Sequence, residues 1–146
     1  MRKYEFKGNF LYYVRLIKKL YEQTLFNAAE QCGITLPEAD ILSFLRENPE
    51  FDTARDVALY REVSRAYVSK AVEQLVEKGY LDIVQDKDDR RYQHLIITEK
   101  ATKIAEHLHQ VQFRFYDKIT ANLSNEELRA MLSGIEKCAQ NLIKPL

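Results

Sequence analysis

Arg65, Tyr67, Ser69 and Lys70 fall in the opening turns of a segment with helical periodicity, and Arg90 and Arg91 close a charged run, DKDDRR. These residue types suit a phosphate-rich polymer. An arginine fork matches a guanine edge or a phosphate, hydroxyls reach phosphate oxygens or base edges, and a lysine supplies a point charge for phosphate. A helix start adds free amides and the positive end of its dipole.

The helix that carries the first group is capped by Ser64 and runs to about Lys78. Val68, Ala71, Val72, Leu75 and Val76 recur at helical spacing and form its inner stripe. The opposite face carries Arg65, Ala66, Tyr67, Ser69, Lys70, Glu73 and Gln74, and Gly79 ends the helix. Before it lies a short helix, about Ala54 to Tyr60, capped by Asp52 or Thr53, with Val57 and Ala58 inward. After it come two short apolar strands, Leu81 to Val84 and His94 to Ile97, joined by the charged loop Gln85 to Gln93. That loop is longer than a tight hairpin turn and is expected to project. The order is a helix-turn-helix followed by a hairpin wing, which places one helix in the major groove of DNA. Arg90 and Arg91 would then reach the minor groove or its flanking phosphates, with Asp89 pairing with Arg91 and fixing its direction. A charge run standing alone reads more simply as a solvated turn. Its position behind a recognition helix favours the wing.

Helices flank this lobe on both sides. From about Asn9 to Gln31, Phe10, Val14, Ile17, Tyr21 and Leu25 make one stripe, and Tyr13, Leu16 and Leu20 make a second. A helix so widely apolar needs cover on more than one side, from its own domain and from a partner chain. Thr35 and Glu38 can form a capping box around Pro37 for a second helix with Ala39, Ile41, Leu42, Phe44 and Leu45 inward, stopped by Asn48-Pro49. Thr98 is expected to cap a fifth helix to about Asn122, with Ala101, Ile104, Leu108, Val111 and Phe115 on its seam. Ser124 to Glu127 is a further capping box, opening a sixth helix striped by Leu128, Met131, Leu132, Ile135, Cys138, Ala139 and Leu142. The expected fold is mainly α with a small β-hairpin wing. Residues 35–98 form the winged helix-turn-helix lobe, and residues 1–34 and 99–146 form a helical dimerisation region.

Composition narrows the alternatives. With 146 residues, 46% hydrophobic and 30% charged, the chain reads as an ordinary globular protein, and its formal net charge of +0 makes any nucleic-acid argument local. The start, MRKYEFKGNF, has no leader-like apolar core, and no apolar run approaches the roughly 18 residues of a membrane span, so a cytoplasmic location is expected. Cys32 and Cys138 suggest neither a disulfide framework nor a zinc ribbon. No phosphate-cradling glycine loop or nucleophile–base pair is present, so an enzyme is not expected, nor is a cofactor.

The sequence resembles the MarR (multiple antibiotic resistance regulator) family of winged-helix repressors. The resemblance rests on Asp56-Val57-Ala58, Val63-Ser64-Arg65, Val68-Ser69, Leu75 to Gly79, Asp86 to Arg91, and Leu95 through Thr98-Glu99-Lys100, and it covers nearly the whole chain. It implies a homodimer with interlocked terminal helices, bound to a pseudo-palindromic operator in double-stranded DNA and released by a small, often phenolic, ligand or by oxidation. One departure stands out. Where the family usually has Leu-Gly before the Val-Ser of the turn, this chain has Arg61 and Glu62, which removes an apolar anchor and offers Arg61 as a further phosphate contact.

The switch is less legible. The aromatics Tyr4, Phe6, Phe10, Tyr12, Tyr13, Tyr21 and Phe26 can line an effector pocket, with Tyr12 off both stripes and Tyr13 beside it, although helical spacing favours core packing. Cys32 reads as a redox sensor only with a lowered pKa, and no neighbouring cation argues for one; Cys138 is expected in the core. Glu106, His107 and His109, with Asp40, raise a metal-sensing repressor, but the two histidines face different ways and no metal site is assigned. A rival from another class is a winged-helix protein–protein adaptor, suggested by neutral charge and by Glu62, Glu73 and Glu77.

Overall fold

Thr35 and Thr53 each open a helix by the same reciprocal device. Thr35 Oγ1 accepts from the Glu38 amide and Glu38 Oε1 accepts from the Thr35 amide, both at 3.4 Å. Thr53 and Asp56 exchange the equivalent bonds at 3.2 Å each. Each pair satisfies two amides that the first helical turn leaves without intrahelical partners. The computed structural model describes the backbone of residues 3–143 and the side chains of residues 8–143; the side chains of Tyr4 and Phe6 lie outside the described residues.

In chain order the elements are α1 (Lys3–Gln31), α2 (Leu36–Glu47), α3 (Ala54–Arg61), α4 (Arg65–Glu77), β1 (Leu81–Gln85), β2 (Gln93–Ile97), a 3₁₀ turn (Glu99–Ala101), α5 (Thr102–Thr120) and α6 (Asn125–Ile143). The strands pair antiparallel, with Leu81 opposite Ile97 and Gln85 opposite Gln93. The fold is therefore mainly helical with a two-stranded wing, as the sequence indicates. The core gathers Leu25, Ala28 and Ala29 of α1, the inner faces of α2, α3 and α4, Leu81 and Leu95 of the hairpin, and Leu108 of α5. Helices on both sides of residues 35–98 thus contribute to the core of the winged lobe.

Several expectations need correction. The first helix starts at Lys3 rather than near Asn9, because the charged residues before Asn9 are compatible with helix. From Phe10 to Leu20 its apolar residues are all exposed, so neither stripe is covered there within the chain. Thr98 does not cap the fifth helix. Its hydroxyl donates to Gly79 O at 2.7 Å, and the 3₁₀ turn intervenes before α5, which ends at Thr120 rather than Asn122. Val76, expected on the inner stripe of α4, is exposed. Ser124 and Glu127 do form their capping box, but α6 has no buried residue, and Cys138 is exposed rather than in the core. A stripe at helical spacing tells which face seeks cover, not what supplies it.

The chain divides into two compact units, Met1–Gln112 and Phe113–Leu146. Within the first, a buried ion pair ties two helix ends. Glu38, with no solvent exposure, receives Lys78 Nζ at 2.8 and 2.9 Å on its two oxygens and the Thr35 hydroxyl at 2.9 Å. Lys100 Nζ donates to Lys78 O at 2.9 Å and lies 5.2 Å from the centre of the Tyr80 ring. Gly79, at φ +76, turns the chain from α4 into β1 with the left-handed geometry that glycine adopts without strain. The Lys-Gly and Thr-Glu-Lys segments are thus two halves of one knot behind α4. Replacing Lys78 by Met leaves a buried carboxylate without its cation. The expected cost is about 2–3 kcal/mol, somewhat under the range for fully enclosed pairs because Lys78 retains solvent contact. Urea denaturation measures it; an unchanged midpoint would show that Glu38 does not depend on the lysine.

Candidate nucleic-acid interface

The start of α4 is set by the turn before it. Ser64 Oγ accepts from the Tyr67 amide at 3.0 Å, which caps the helix, and the Val63 amide donates to Ala58 O at 3.1 Å. Between them Glu62 adopts φ 52, ψ 44, the left-handed conformation. Arg61 supplies the anchor for this turn. Its guanidinium lies 5.3 Å from the centre of the Phe44 ring, and its Nε is 3.3 Å from Asp40 Oδ1, close enough for an ion pair though not aligned as a hydrogen bond. A guanidinium over an aromatic face with a carboxylate beside it holds the turn to α2. Burial, the larger influence, raises the Asp40 pKa, while Arg61 opposes it. Arg61 is therefore engaged with the scaffold rather than held out towards a phosphate.

Tyr67 is likewise turned inward. It is half-buried against the core, and burial with the nearby Asp40 and Glu22 carboxylates pushes its phenol pKa up. Arg65, Ser69 and Lys70 remain on the exposed face of α4. Arg65 borders a cleft of about 290 Å³ together with Thr53, Ala54 and Arg55 at the start of α3 and Arg91, Tyr92 and Gln93 of the wing. Arginines from three elements thus line one cleft. Among the described residues neither Arg55 nor Arg65 has an ion-pair partner, so their charge is available to an anion. Sequence reasoning missed Arg55, whose only signal was a position just after a capped helix start. Ser69 instead lines a neighbouring groove with Glu73, Glu77, Val76 and Ile83. The arginines of the cleft gather at the N-terminal end of α4.

The wing is braced by its own aspartates. Asp86 Oδ2 accepts from the Asp88 and Asp89 amides at 2.9 Å each, and the Asp86 amide donates to Tyr92 O at 2.9 Å. Asp89 holds Arg91 as expected: Arg91 Nε donates to Oδ1 at 3.0 Å and Nη2 to Oδ2 at 2.7 Å. That two-point contact lowers the Asp89 pKa and raises that of Arg91. Arg90 is exposed, and its backbone oxygen accepts from Gln85 Nε2 at 2.9 Å.

Tyr12 and Tyr13 stand 60% and 56% exposed, with their rings edge to face 5.3 Å apart. Burial pushes the Cys32 thiol up, opposite to the direction a reactive thiolate needs. Glu106 is paired with Arg46 at 2.7 Å, and among the described residues no three His, Cys, Asp or Glu side chains gather as metal ligands. No described helix is long and apolar enough to cross a membrane.

This geometry can be set beside known proteins. Residues 33–91, from the turn after α1 to the wing arginines, match the MarR family model. Over 125 residues the chain is 26% identical to the uncharacterized HTH-type transcriptional regulator YpoP of Bacillus subtilis, covering 84% of this chain and 87% of that one. Over 128 residues it is 22% identical to the HTH-type transcriptional regulator BilQ of Clostridium symbiosum, covering 88% of each. The S. aureus MepR–DNA complex matches its fold with a TM-score of 0.79 at 22% identity, over 94% of this chain and 98% of that one. Within the matched segment Glu62 holds a left-handed position usually given to glycine. Such a conformation costs a residue with a Cβ about 1 kcal/mol, and glycine's greater unfolded-state freedom takes part of the gain back. Glu62→Gly is expected to raise stability by about 0.5 kcal/mol. A lower urea midpoint in the variant would show that the Glu62 side chain contributes more than its backbone costs.

Proposed function

We propose that this protein is a transcriptional regulator that binds double-stranded DNA as a homodimer, acting in the cytoplasm as a repressor at a pseudo-palindromic operator. The observation that carries the reading is the cleft shared by Arg55, Arg65 and Arg91. Its three cations come from the helix before the turn, the recognition helix and the wing, a spread that suits a DNA backbone running past the start of α4. Arg65 and Lys70 would meet base edges and phosphate, Arg55 and Arg91 the flanking backbone, and Arg90 the minor-groove side. The Ser64 oxygen is occupied in capping, but its O–H remains free to donate to a phosphate.

The homodimer draws support from apolar residues left exposed in the single chain. They include Leu11, Val14 and Ile17 on α1 and, in the other unit, Leu132, Ile135 and Leu142 on α6. Release by a small ligand or an oxidant is carried by the family resemblance alone. With two copies bound, the half-sites would lie about one helical turn of DNA apart.

The test uses a fluorescein-labelled duplex selected by the protein from a randomised pool at low salt. Arg91→Ala is expected to weaken binding about tenfold, with the urea midpoint nearly unchanged because its guanidinium is on the surface. Arg55→Ala is expected to weaken selected and unrelated duplexes by similar factors, since a phosphate contact carries no sequence information. Unchanged affinity in both variants would overturn the assignment of the cleft.

A further inference from the structure

We infer that His94 is a positioning residue for the wing, a strut that aims Arg91 only while its imidazole carries a proton. The inference rests on the DNA-binding reading above and assigns that site a pH-dependent component. His94, on β2, has Nδ1 2.7 Å from Asp52 Oδ1 and Nε2 2.7 Å from Asp86 Oδ1. Asp52 lies just before α3, and its backbone oxygen accepts from the Leu95 amide at 2.8 Å. Asp86 begins the wing loop, and its other carboxylate oxygen holds the Asp88 and Asp89 amides. Asp89 in turn grips Arg91. One chain of contacts therefore runs from the segment that opens α3, through the imidazole, to the arginine that borders the cationic cleft.

Only an imidazolium can donate to both carboxylates. A neutral ring has one N–H, so its second nitrogen would point a lone pair at a carboxylate oxygen, and one end of the strut must let go. The charged groups that bear on the ring are Asp52 and Asp86, and both favour its protonated form; their hydrogen bonds raise the His94 pKa above the ordinary 6.5. The Asp86 pKa is lowered, first by the His94 bond and then by the Asp88 and Asp89 amides. The signs set the window. The His94 contribution is complete below its ordinary value and disappears as pH rises through the raised one. The Asp86 contribution is complete above the ordinary carboxylate range and disappears as pH falls through the lowered value. The wing is braced between those limits and released on the alkaline side.

The experiment compares the full-length wild type with His94→Gln, which cannot titrate, on a duplex selected by the wild type, at fixed salt between about pH 6 and 9. At the acidic end the wild type is expected to bind about tenfold more tightly than the variant, and this advantage disappears as pH rises. Parallel pH profiles would overturn the proposal. An NMR titration of the same two proteins reads the strut without DNA. The His94 ring should titrate above 6.5, and the Asp88 and Asp89 amides should shift with the same midpoint in the wild type alone. A ring titrating at or below its ordinary value, or amides that ignore it, would also overturn the proposal. If the wild type retains no duplex at any pH, the DNA-binding reading fails, and the coupled NMR midpoints still decide whether the strut exists.

Discussion

A carboxylate with no access to water, Glu38, and the lysine that meets it fix where α4 ends. The constraint is severe because an unpaired charge in that position would cost several kcal/mol. The N-terminus of α2 and the C-terminus of α4 must therefore stay together. Lys100 and Thr98 then bind the backbone oxygens of Lys78 and Gly79, so the base of the hairpin joins the same knot. At the other end of α4, the Arg61 contacts with Phe44 and Asp40 hold the turn to the same helix, α2. Both ends of α4 are thus referred to one support.

That arrangement explains how a chain with no net charge can present a cationic face. The charge is divided along α4. Its N-terminal end shares a cleft with the arginines of α3 and the wing, while Glu73 and Glu77 line the groove towards its C-terminal end. A neutral total conceals a local gradient, and the positive helix terminus adds to it in the same direction. Two of the three wing-loop aspartates, Asp86 and Asp89, fit this scheme because their carboxylates are committed to structural bonds. Asp86 closes the loop and Asp89 directs Arg91, so neither is an unengaged repulsive charge.

Much of the fold was legible because helix signals are local. Thr35 with Glu38, Ser64 before Arg65, and Gly79 after Lys78 state starts and stops in a few residues. The exposed arginines and the Asp89–Arg91 pair were legible for the same reason. The roles of Arg61, Tyr67 and His94 were not, since their partners Asp40 and Asp52 are distant in the chain and only folding brings them near. Arg55 was invisible as a site residue until α3 and the wing faced each other across the cleft. The stripe containing Cys138 showed a further limit: periodicity marked an apolar face, but the single chain leaves it exposed.

In the proposed complex, arginines on α3, α4 and the wing together engage a DNA backbone. The most direct measurement is the dependence of duplex affinity on salt for the wild type and for the Arg55→Ala, Arg65→Ala and Arg91→Ala variants. A steep linear fall of log affinity with log salt is expected, with each substitution that removes a phosphate contact reducing the slope by about one. A shallow slope left unchanged by all three substitutions would contradict it.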